Sequence, residues 1–236
     1  MPCAAPVEPV PSTATMDACA HVWFGTAAAT TQMLARPLSA AQAAELTQRK
    51  SARRQLDWLV SRAVLHEARL ARRAGPVSLA HSRGVAAVVT ASAATQAGVD
   101  IEVLVERDFA ALARLAYAPA EAEFVASLTD TVAQRSAFYE LWTLKEASGK
   151  ALGLDLLDAL RGCTFIGDVG GALAWHPQVP SDAAWRAWVW APRPDVRIAA
   201  FVGLEDPAAV PPVQHEVPAG EALPWRLARE FKARTA

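Results

Sequence analysis

The 236-residue sequence lacks several features that would each identify a class of protein. It has 23 lysines and arginines against 24 aspartates and glutamates, so no basic excess indicates binding to nucleic acid. No apolar run is long enough to span a membrane, and the first 16 residues do not resemble a secretory signal. Neither a GxxxxGK[ST] loop nor a GxGxxG motif is present. We therefore expect a cytoplasmic globular protein whose partners include neither membrane nor nucleic acid.

Cysteine is scarce as well. Cys3, Cys19 and Cys163 lie far apart and form no CxxC motif, so neither a disulfide framework nor a zinc site is indicated. We interpret them as reduced thiols in the cytoplasm. The composition, with 53% hydrophobic and 20% charged residues, is typical of a folded chain. The length allows one large domain or two smaller halves.

Hydrophobic periodicity predicts short strands and helices between a leader and a tail. Residues 1–17 are rich in proline, alanine, serine and threonine, which predicts a disordered leader. The predicted strands cover residues 20–27, 77–80, 85–91, 96–103, 162–167, 172–176, 185–191 and 196–203, and the predicted helices cover residues 40–50, 51–73, 107–116, 119–127 and 131–151. Residues 206–236 are predicted to form a proline-rich tail with a short helix at 223–234.

The segment FYELWTLKEASGK forms the second half of the longest predicted helix. Phe138, Leu141 and Trp142 recur at spacings of three and four, so they share one face. Glu146 and Lys150 are four residues apart and therefore lie on the same side of the helix. This spacing alone is also typical of a solvent-exposed ion pair, which would have no function.

A second group of acidic residues occurs in the segment GVDIE. Side chains alternate along a strand, so Val99 and Ile101 point into the core while Asp100 and Glu102 point together to the other side. Two adjacent carboxylates repel each other unless positive charge lies between them. Gly98 would allow another backbone to approach this strand closely. Carboxylates on an otherwise apolar, interior strand favour a cation site over a solvated face.

Three carboxylates without histidine or cysteine are typical ligands of a hard divalent ion. Asp100, Glu102 and Glu146 would therefore suit Mg²⁺, with Mn²⁺ as the other possibility. Lys145 and Lys150 beside them could neutralise phosphate oxygens. This combination indicates phosphoryl-type transfer, in which catalysis rests on positioning and charge stabilisation.

Three further basic residues do not indicate a function from their sequence context alone. His81 is predicted to lie in the turn His81–Gly84 between two strands, and Arg53 and Arg54 flank the apolar face of a helix. Loop histidines and helical arginines of this kind are usually solvated.

GVDIE followed by FYELWTLKEASGK resembles the paired motifs of the 4'-phosphopantetheinyl transferases of the Sfp type. The likeness extends through LSAAQAAEL and RRQLDWLVSRAVL, within residues 38–65, and through His81 and Ser82, and it covers about residues 20–205. Members of this family transfer the phosphopantetheine arm of coenzyme A to a serine of an acyl or peptidyl carrier protein and release 3',5'-ADP.

The resemblance implies roles for the carboxylates and lysines. Asp100, Glu102 and Glu146 would correspond to the magnesium ligands, and Glu146 to the base that activates the serine, directly or through water. Lys150 would bind the pyrophosphate of coenzyme A, with Lys145 beside it.

The resemblance also implies contacts with the nucleotide end of coenzyme A. Arg53 would correspond to an arginine that binds coenzyme A, Arg54 is a neighbouring candidate, and His81 would lie near the 3'-phosphate. The sequence departs from the family pattern in two places: Ala80 replaces a serine, and the Gly-Lys-Pro module has no room between Arg73 and Val77.

The fold implied is α/β (α+β), a pseudo-dimer of two similar halves, each a small antiparallel sheet packed by a long helix. The halves would cover residues 18–98 and 99–205, with the metal site at their junction, in a monomer. Arg114 and Arg135 are candidates for contacting an acidic carrier protein. Two alternatives remain open: a non-catalytic relic that binds carrier proteins, and a magnesium-dependent phosphohydrolase.

Overall fold

The computed structural model describes residues 20–71, 75–92, 94–167, 173–177, 184–204, 212–218 and 225–232 of a mixed α/β protein. Its strands are β1 (Ala20–Gly25), β2 (Val77–Ser82), β3 (Val85–Ala91), β4 (Ala94–Val103), β5 (Cys163–Gly167), β6 (Leu173–Pro177), β7 (Ala184–Ala191), β8 (Val196–Leu204), β9 (Val213–Val217) and β10 (Arg226–Lys232). Its α-helices are α1 (Thr30–Leu34), α2 (Ala40–Thr47), α3 (Ala52–Leu70), α4 (Phe109–Ala116), α5 (Pro119–Ser127), α6 (Thr131–Leu152) and α7 (Leu156–Gly162). The predicted leader, residues 1–17, lies outside the described residues.

Eight of these strands form two four-stranded sheets. The first sheet has the order β2-β3-β1-β9 and the second has the order β10-β7-β8-β4, while β5 and β6 pair with each other. All pairings are antiparallel except that of β9 with β1, which is parallel. The expectation of two antiparallel sheets is therefore wrong for the first sheet, because its fourth strand arrives in the same direction as β1.

The apolar inner faces of the two sheets contact each other. Val22 and Phe24 of β1 share a buried cluster with Ile101 of β4 and with Trp188 and Trp190 of β7. Because side chains alternate along a strand, the neighbouring residues point to the outer faces, where helices cover them. This arrangement places β2 and β4, which are edge strands, side by side.

Residues of the two longest helices share apolar clusters with residues of the sheets. Val60 and Val64 of α3 join Trp23 of β1 in one apolar cluster, and Leu141 and Leu144 of α6 belong to the cluster that includes β7 and β8. No helix in the described parts of the chain is long and apolar enough to cross a membrane. The twofold likeness between the halves stays a prediction, and the expected boundary between residues 98 and 99 falls inside β4.

Local sequence signals explain where these helices begin and end. The hydroxyl of Ser39 accepts a hydrogen bond from the Gln42 amide at the start of α2, and the Asp130 carboxylate accepts bonds from two amides at the start of α6. Gly153, with φ of 68°, ends α6 in the left-handed conformation that glycine tolerates best. The predicted helix boundaries are confirmed here to within a few residues.

The C-terminal segment differs most from the prediction. Residues 226–232 form strand β10 instead of a helix, and β9 precedes it, so each sheet gains one strand from this part of the chain. The physical reason is the open edge of β7, whose backbone groups pair with β10, while Phe231 is buried against Phe165. Such tertiary contacts override a weak helical pattern.

Candidate functional site

Strand β4 presents its acidic residues to the side predicted from the sequence. Val99 and Ile101 are fully buried in the cluster between the sheets, which confirms the alternation. Asp100 and Glu102 therefore point to the outer side, towards α6. Asp100 is buried and Glu102 is half-buried, so this pair of carboxylates does not lie on an open, solvated surface.

Gly98 brings α6 directly against this strand. A Cβ atom at Gly98 would lie 1.9 Å from the carbonyl oxygen of Ala147 and 2.7 Å from the amide nitrogen of Ala151. Only glycine permits such a close approach of two backbones. Ala147 and Ala151 directly follow Glu146 and Lys150 in the helix. This contact therefore fixes where Glu146 and Lys150 lie along the strand relative to Asp100.

Lys150 and Asp100 form an ion pair between the helix and the strand. The ammonium nitrogen of Lys150 lies 2.7 Å from Oδ1 of Asp100 and also donates to the carbonyl oxygen of Val99 at 3.1 Å. The other carboxylate oxygen, Oδ2 of Asp100, is buried without a hydrogen-bond partner among the described residues. A buried carboxylate oxygen without a donor is costly, so this atom is a candidate position for a ligand.

The carboxylates of Asp100, Glu102 and Glu146 are close enough to affect each other electrostatically. Burial raises the pKa of Asp100 to about 7, the Lys150 ammonium opposes this, and the Glu146 and Glu102 carboxylates raise it further. Burial also raises the pKa of Glu102, partly offset by the Ser82 hydroxyl, and Glu146 adds to the rise. The structure thus places the acidic groups of positions 100, 102 and 146 within electrostatic range of one another, and their role as metal ligands stays a prediction.

Whether this group fits a divalent cation can be judged from its oxygen atoms. Among the described residues, no three histidine, cysteine or acidic side chains are already arranged around one metal position. Lys150 and Ser82 each occupy one carboxylate oxygen, on Asp100 and on Glu102. A hard cation would nevertheless fit here. It would give the buried Oδ2 of Asp100 a partner and would reduce the repulsion between the carboxylates.

Ser82, which the sequence analysis named only as part of the family likeness, is a further member of this group. Its hydroxyl donates a 2.7 Å hydrogen bond to Oε2 of Glu102, and Ser78, also on β2, accepts a bond from the Val99 amide at 3.2 Å. The small residues Ser78, Ala80 and Ser82 alternate along β2, which is typical of a strand face that lies close to another element. Nothing in the sequence showed that the partner would be β4.

The structure places Lys145 away from the carboxylates of β4. Its side chain is fully buried, its ammonium lies 2.8 Å from Glu121, and it donates to the carbonyl oxygens of Leu160 and Cys163. A fully buried ammonium with three oxygen partners cannot also bind a phosphate. The expected contact between Lys145 and coenzyme A is therefore replaced by a structural role that joins α6 to α5 and to the region around β5.

Two of the predicted basic residues, Arg54 and His81, line one cavity. His81 is exposed and belongs to β2, not to the turn, because its backbone pairs with Ala86 of β3. Together with Arg49 and Arg54 it lines a cavity of about 320 Å³, whose other lining residues include the buried Asp57. Arg53 is exposed at the start of α3 and does not line this cavity.

Part of the chain matches the model of a known family. Residues 96–201 match the model of the family described as the 4'-phosphopantetheinyl transferase superfamily. This segment includes Asp100, Glu102, Glu146 and Lys150 but ends before β9 and begins after His81. No curated protein matches the chain.

Proposed function

We propose that this protein transfers the 4'-phosphopantetheine arm of coenzyme A to a serine of an acyl or peptidyl carrier protein, in a magnesium-dependent reaction of the Sfp type that releases 3',5'-ADP. The observation that carries the proposal is the ion pair between Asp100 and Lys150, flanked by the carboxylates of Glu102 and Glu146. The match of residues 96–201 to the phosphopantetheinyl transferase superfamily supports it.

The chain's own residues account for the proton and the charge in this reaction. The serine oxygen forms a bond to the β-phosphorus of coenzyme A, the bond from that phosphorus to the oxygen of 3',5'-ADP breaks, and the serine proton passes to Glu146. A serine hydroxyl is a weak nucleophile and needs such a base. The ammonium of Lys150 would screen the phosphate oxygens around the attacked phosphorus.

A divalent cation would be held by Asp100, Glu102 and Glu146. When bound, Mg²⁺ would supply positive charge that stabilises the negative charge developing on the phosphate oxygens. The buried Oδ2 of Asp100 has no hydrogen-bond partner among the described residues and would be available to coordinate the cation. Lys150 would then be free to move from Asp100 towards a phosphate, since its side chain is one-third exposed.

The nucleotide end of coenzyme A would lie in the basic cavity. Arg54 and His81 line it, and Arg49 adds a second guanidinium group that the sequence did not single out. A nucleotide with a 3'-phosphate would match these charges. Arg53 remains a candidate for a contact at the exposed start of α3. Further parts of the proposal are a monomeric state and a location in the cytoplasm.

One experiment tests the proposed transfer. The protein is incubated with an apo carrier protein, coenzyme A and Mg²⁺, and the carrier is examined by intact mass spectrometry. We expect the mass of one phosphopantetheine to be added, and no addition when EDTA replaces Mg²⁺. An unchanged carrier mass would contradict the transfer, and release of product from coenzyme A without any carrier would instead indicate a phosphohydrolase.

A further inference from the structure

The turn between β2 and β3 lies next to a residue that contacts the carboxylates of the second sheet. Ser82 at the end of β2 pairs with Val85 at the start of β3. Only Arg83 and Gly84 lie between them, and their φ angles are 47° and 82°. Two turn residues with positive φ form the tight type I′ turn of a β-hairpin.

Arg83 has a backbone conformation that is unfavourable for its residue type. The first residue of a type I′ turn is usually asparagine, aspartate or glycine, because left-handed backbone crowds a longer side chain. The Arg83 guanidinium lies near Glu102: burial raises the pKa of the Glu102 carboxyl, and the charge of Arg83 opposes that rise. Backbone strain of this kind is typical of functional sites and persists only where surrounding contacts hold it.

Helix α3 supplies a contact that holds this turn. Oδ1 of Asp57 accepts a 2.5 Å hydrogen bond from the buried amide of Gly84. That amide lies outside the ladder of β2 and β3, so without Asp57 it would have no partner among the described residues. The preceding helix residue, Leu56, also lies close, because a Cβ atom at Gly84 would come within 3.1 Å of its side chain.

Asp57 is a buried acid that makes no ion pair within the parts of the chain that the structure describes. It is 8% exposed, and the basic cavity that it helps to line also includes Arg49, Arg54 and His81. A buried carboxylate is costly unless hydrogen bonds compensate for the lost hydration. The bond from the Gly84 amide is therefore the main interaction of this carboxylate.

The hairpin connects Asp57 to a proposed metal ligand. Ser82, directly before the turn, donates its 2.7 Å hydrogen bond to Glu102 on the other sheet. Two hydrogen bonds joined by one tight turn thus link α3 to β4. Removing a residue that orients a metal ligand typically weakens metal binding by about 10–100-fold.

We infer that Asp57 is a positioning residue for the metal site: by holding the turn at 83–84, it keeps the Ser82 hydroxyl in place against Glu102. Asp57 contacts neither Glu102 nor the other proposed metal ligands, so it acts only through the hairpin. This inference rests on the proposed function, because it takes Glu102 as a metal ligand from that proposal. A substitution on α3 should accordingly change metal binding at β4.

The test measures Mn²⁺ binding to the full chain by electron paramagnetic resonance, with and without coenzyme A, alongside urea unfolding. Asp57→Ala removes the acceptor and should weaken Mn²⁺ binding by about tenfold. Asp57→Asn keeps an acceptor oxygen and should stay within about threefold of the wild-type affinity. Asp108→Ala, the matched control, removes a carboxylate-to-amide bond at the start of α4, so it should lower stability and leave Mn²⁺ affinity unchanged.

A double substitution shows whether the effect passes through the hairpin. In a Ser82→Ala background, Asp57→Ala should weaken Mn²⁺ binding by less than about threefold, because the bond that it positions is already absent. Independent effects would instead multiply, and a purely structural role of Asp57 would give that result. Full multiplication of the two losses would therefore overturn the inference.

The remaining outcomes separate this inference from the proposed function. Mn²⁺ affinity unchanged in Asp57→Ala, an equal loss in Asp57→Asn, or no Mn²⁺ binding by the wild-type protein would each overturn the positioning role, even if transfer proceeds. A rise confined to the KM for coenzyme A in both Asp57 variants would assign Asp57 to the basic cavity and would also overturn it. Mn²⁺ binding that weakens as expected, in a protein that transfers nothing, would support the positioning role and contradict only the transfer reaction.

Discussion

The hydroxyl of Ser82, on the first sheet, donates a 2.7 Å hydrogen bond to the carboxylate of Glu102, on the second sheet. This bond occupies one carboxylate oxygen of Glu102, and the other accepts no hydrogen bond from this hydroxyl. A residue on one sheet therefore orients a proposed metal ligand on the other.

Replacing Ser82 with alanine should therefore impair use of the metal more than the fold. We expect Ser82→Ala to raise the Mg²⁺ concentration needed for half-maximal transfer by about tenfold, the range typical for losing a residue that orients a ligand. Titration of transfer activity with Mg²⁺ measures this. Ser82→Thr, which keeps the hydroxyl, should restore most of the affinity, and equal behaviour of both variants would contradict the role.

Glu146 should be needed for the chemistry and not for folding. Glu146→Gln keeps the size of the side chain but removes its ability to accept the serine proton, so kcat should fall by about a hundredfold or more. Glu123→Gln, at an exposed acidic position on α5, serves as the control and should keep full activity. A Glu146→Gln variant with wild-type kcat and an unchanged melting temperature would refute the assigned role.

The metal-free protein should become less stable between pH 4 and pH 7 because of Asp100. The ordinary pKa of this carboxyl is 3.8, and folding raises it to about 7. Between these values the folded chain binds more protons than the unfolded chain, so its free energy of unfolding falls as the pH rises. The fall attributable to this group is on the order of 3 kcal/mol.

Urea unfolding at several pH values in EDTA measures this effect. Asp100→Asn cannot titrate and should give a flatter profile than the wild-type protein over the same range. Added Mg²⁺ should raise the melting temperature more at pH 8 than at pH 5, because a metal ligand must be deprotonated. Parallel profiles for the two proteins would show that Asp100 has an ordinary pKa.

Gly98 should tolerate no larger side chain. In Gly98→Ala the new Cβ would collide with the backbone oxygen of Ala147, so α6 must shift. We expect a loss of about 1–3 kcal/mol in the free energy of unfolding, as in other overpacked cores, together with reduced transfer. Gly162→Ala is the matched control because nothing lies within 4 Å of its new Cβ, and an equal effect of both substitutions would argue against the close contact.

Lys145 should affect stability and not the reaction. Lys145→Met leaves Glu121 buried without its cation, which should cost about 3–5 kcal/mol. A second substitution, Glu121→Gln, removes the unpaired charge and should recover much of that loss. Transfer per folded molecule should stay near the wild-type value in the double variant, and a large fall in kcat at unchanged stability would return Lys145 to the active site.

Local patterns predicted most elements of this fold, because caps, glycines and alternation act within a few residues. The Ser39 cap, the Gly153 terminus and the alternation around Asp100 are of this kind. Helix α7 was missed, since its seven residues form too short a pattern. Strand β10 was taken for a helix because its pairing with β7 is a contact between distant parts of the chain.

The site shows the same difference between what local patterns predict and what packing between distant parts of the chain decides. Spacing within each motif predicted that Asp100 and Glu102 point to the same side of the strand. It also predicted that Glu146 and Lys150 point to the same side of the helix. Which lysine would face the carboxylates was decided by packing: Lys145 lies on the buried side of α6, whereas Lys150, five residues further along, reaches Asp100. Five residues leave the two lysines about 140° apart around the helix axis, so only one of them can face the carboxylates, and packing decides which.

The last two strands have a consequence for how the chain tolerates shortening. Because β9 closes the edge beside β1 and β10 closes the edge beside β7, a product that stops after Leu204 would expose two unpaired strand edges at once. Open edges of apolar strands are templates for pairing between molecules. Clipped or prematurely terminated forms should accordingly accumulate as aggregates, although every residue of the proposed catalytic centre would still be present in them.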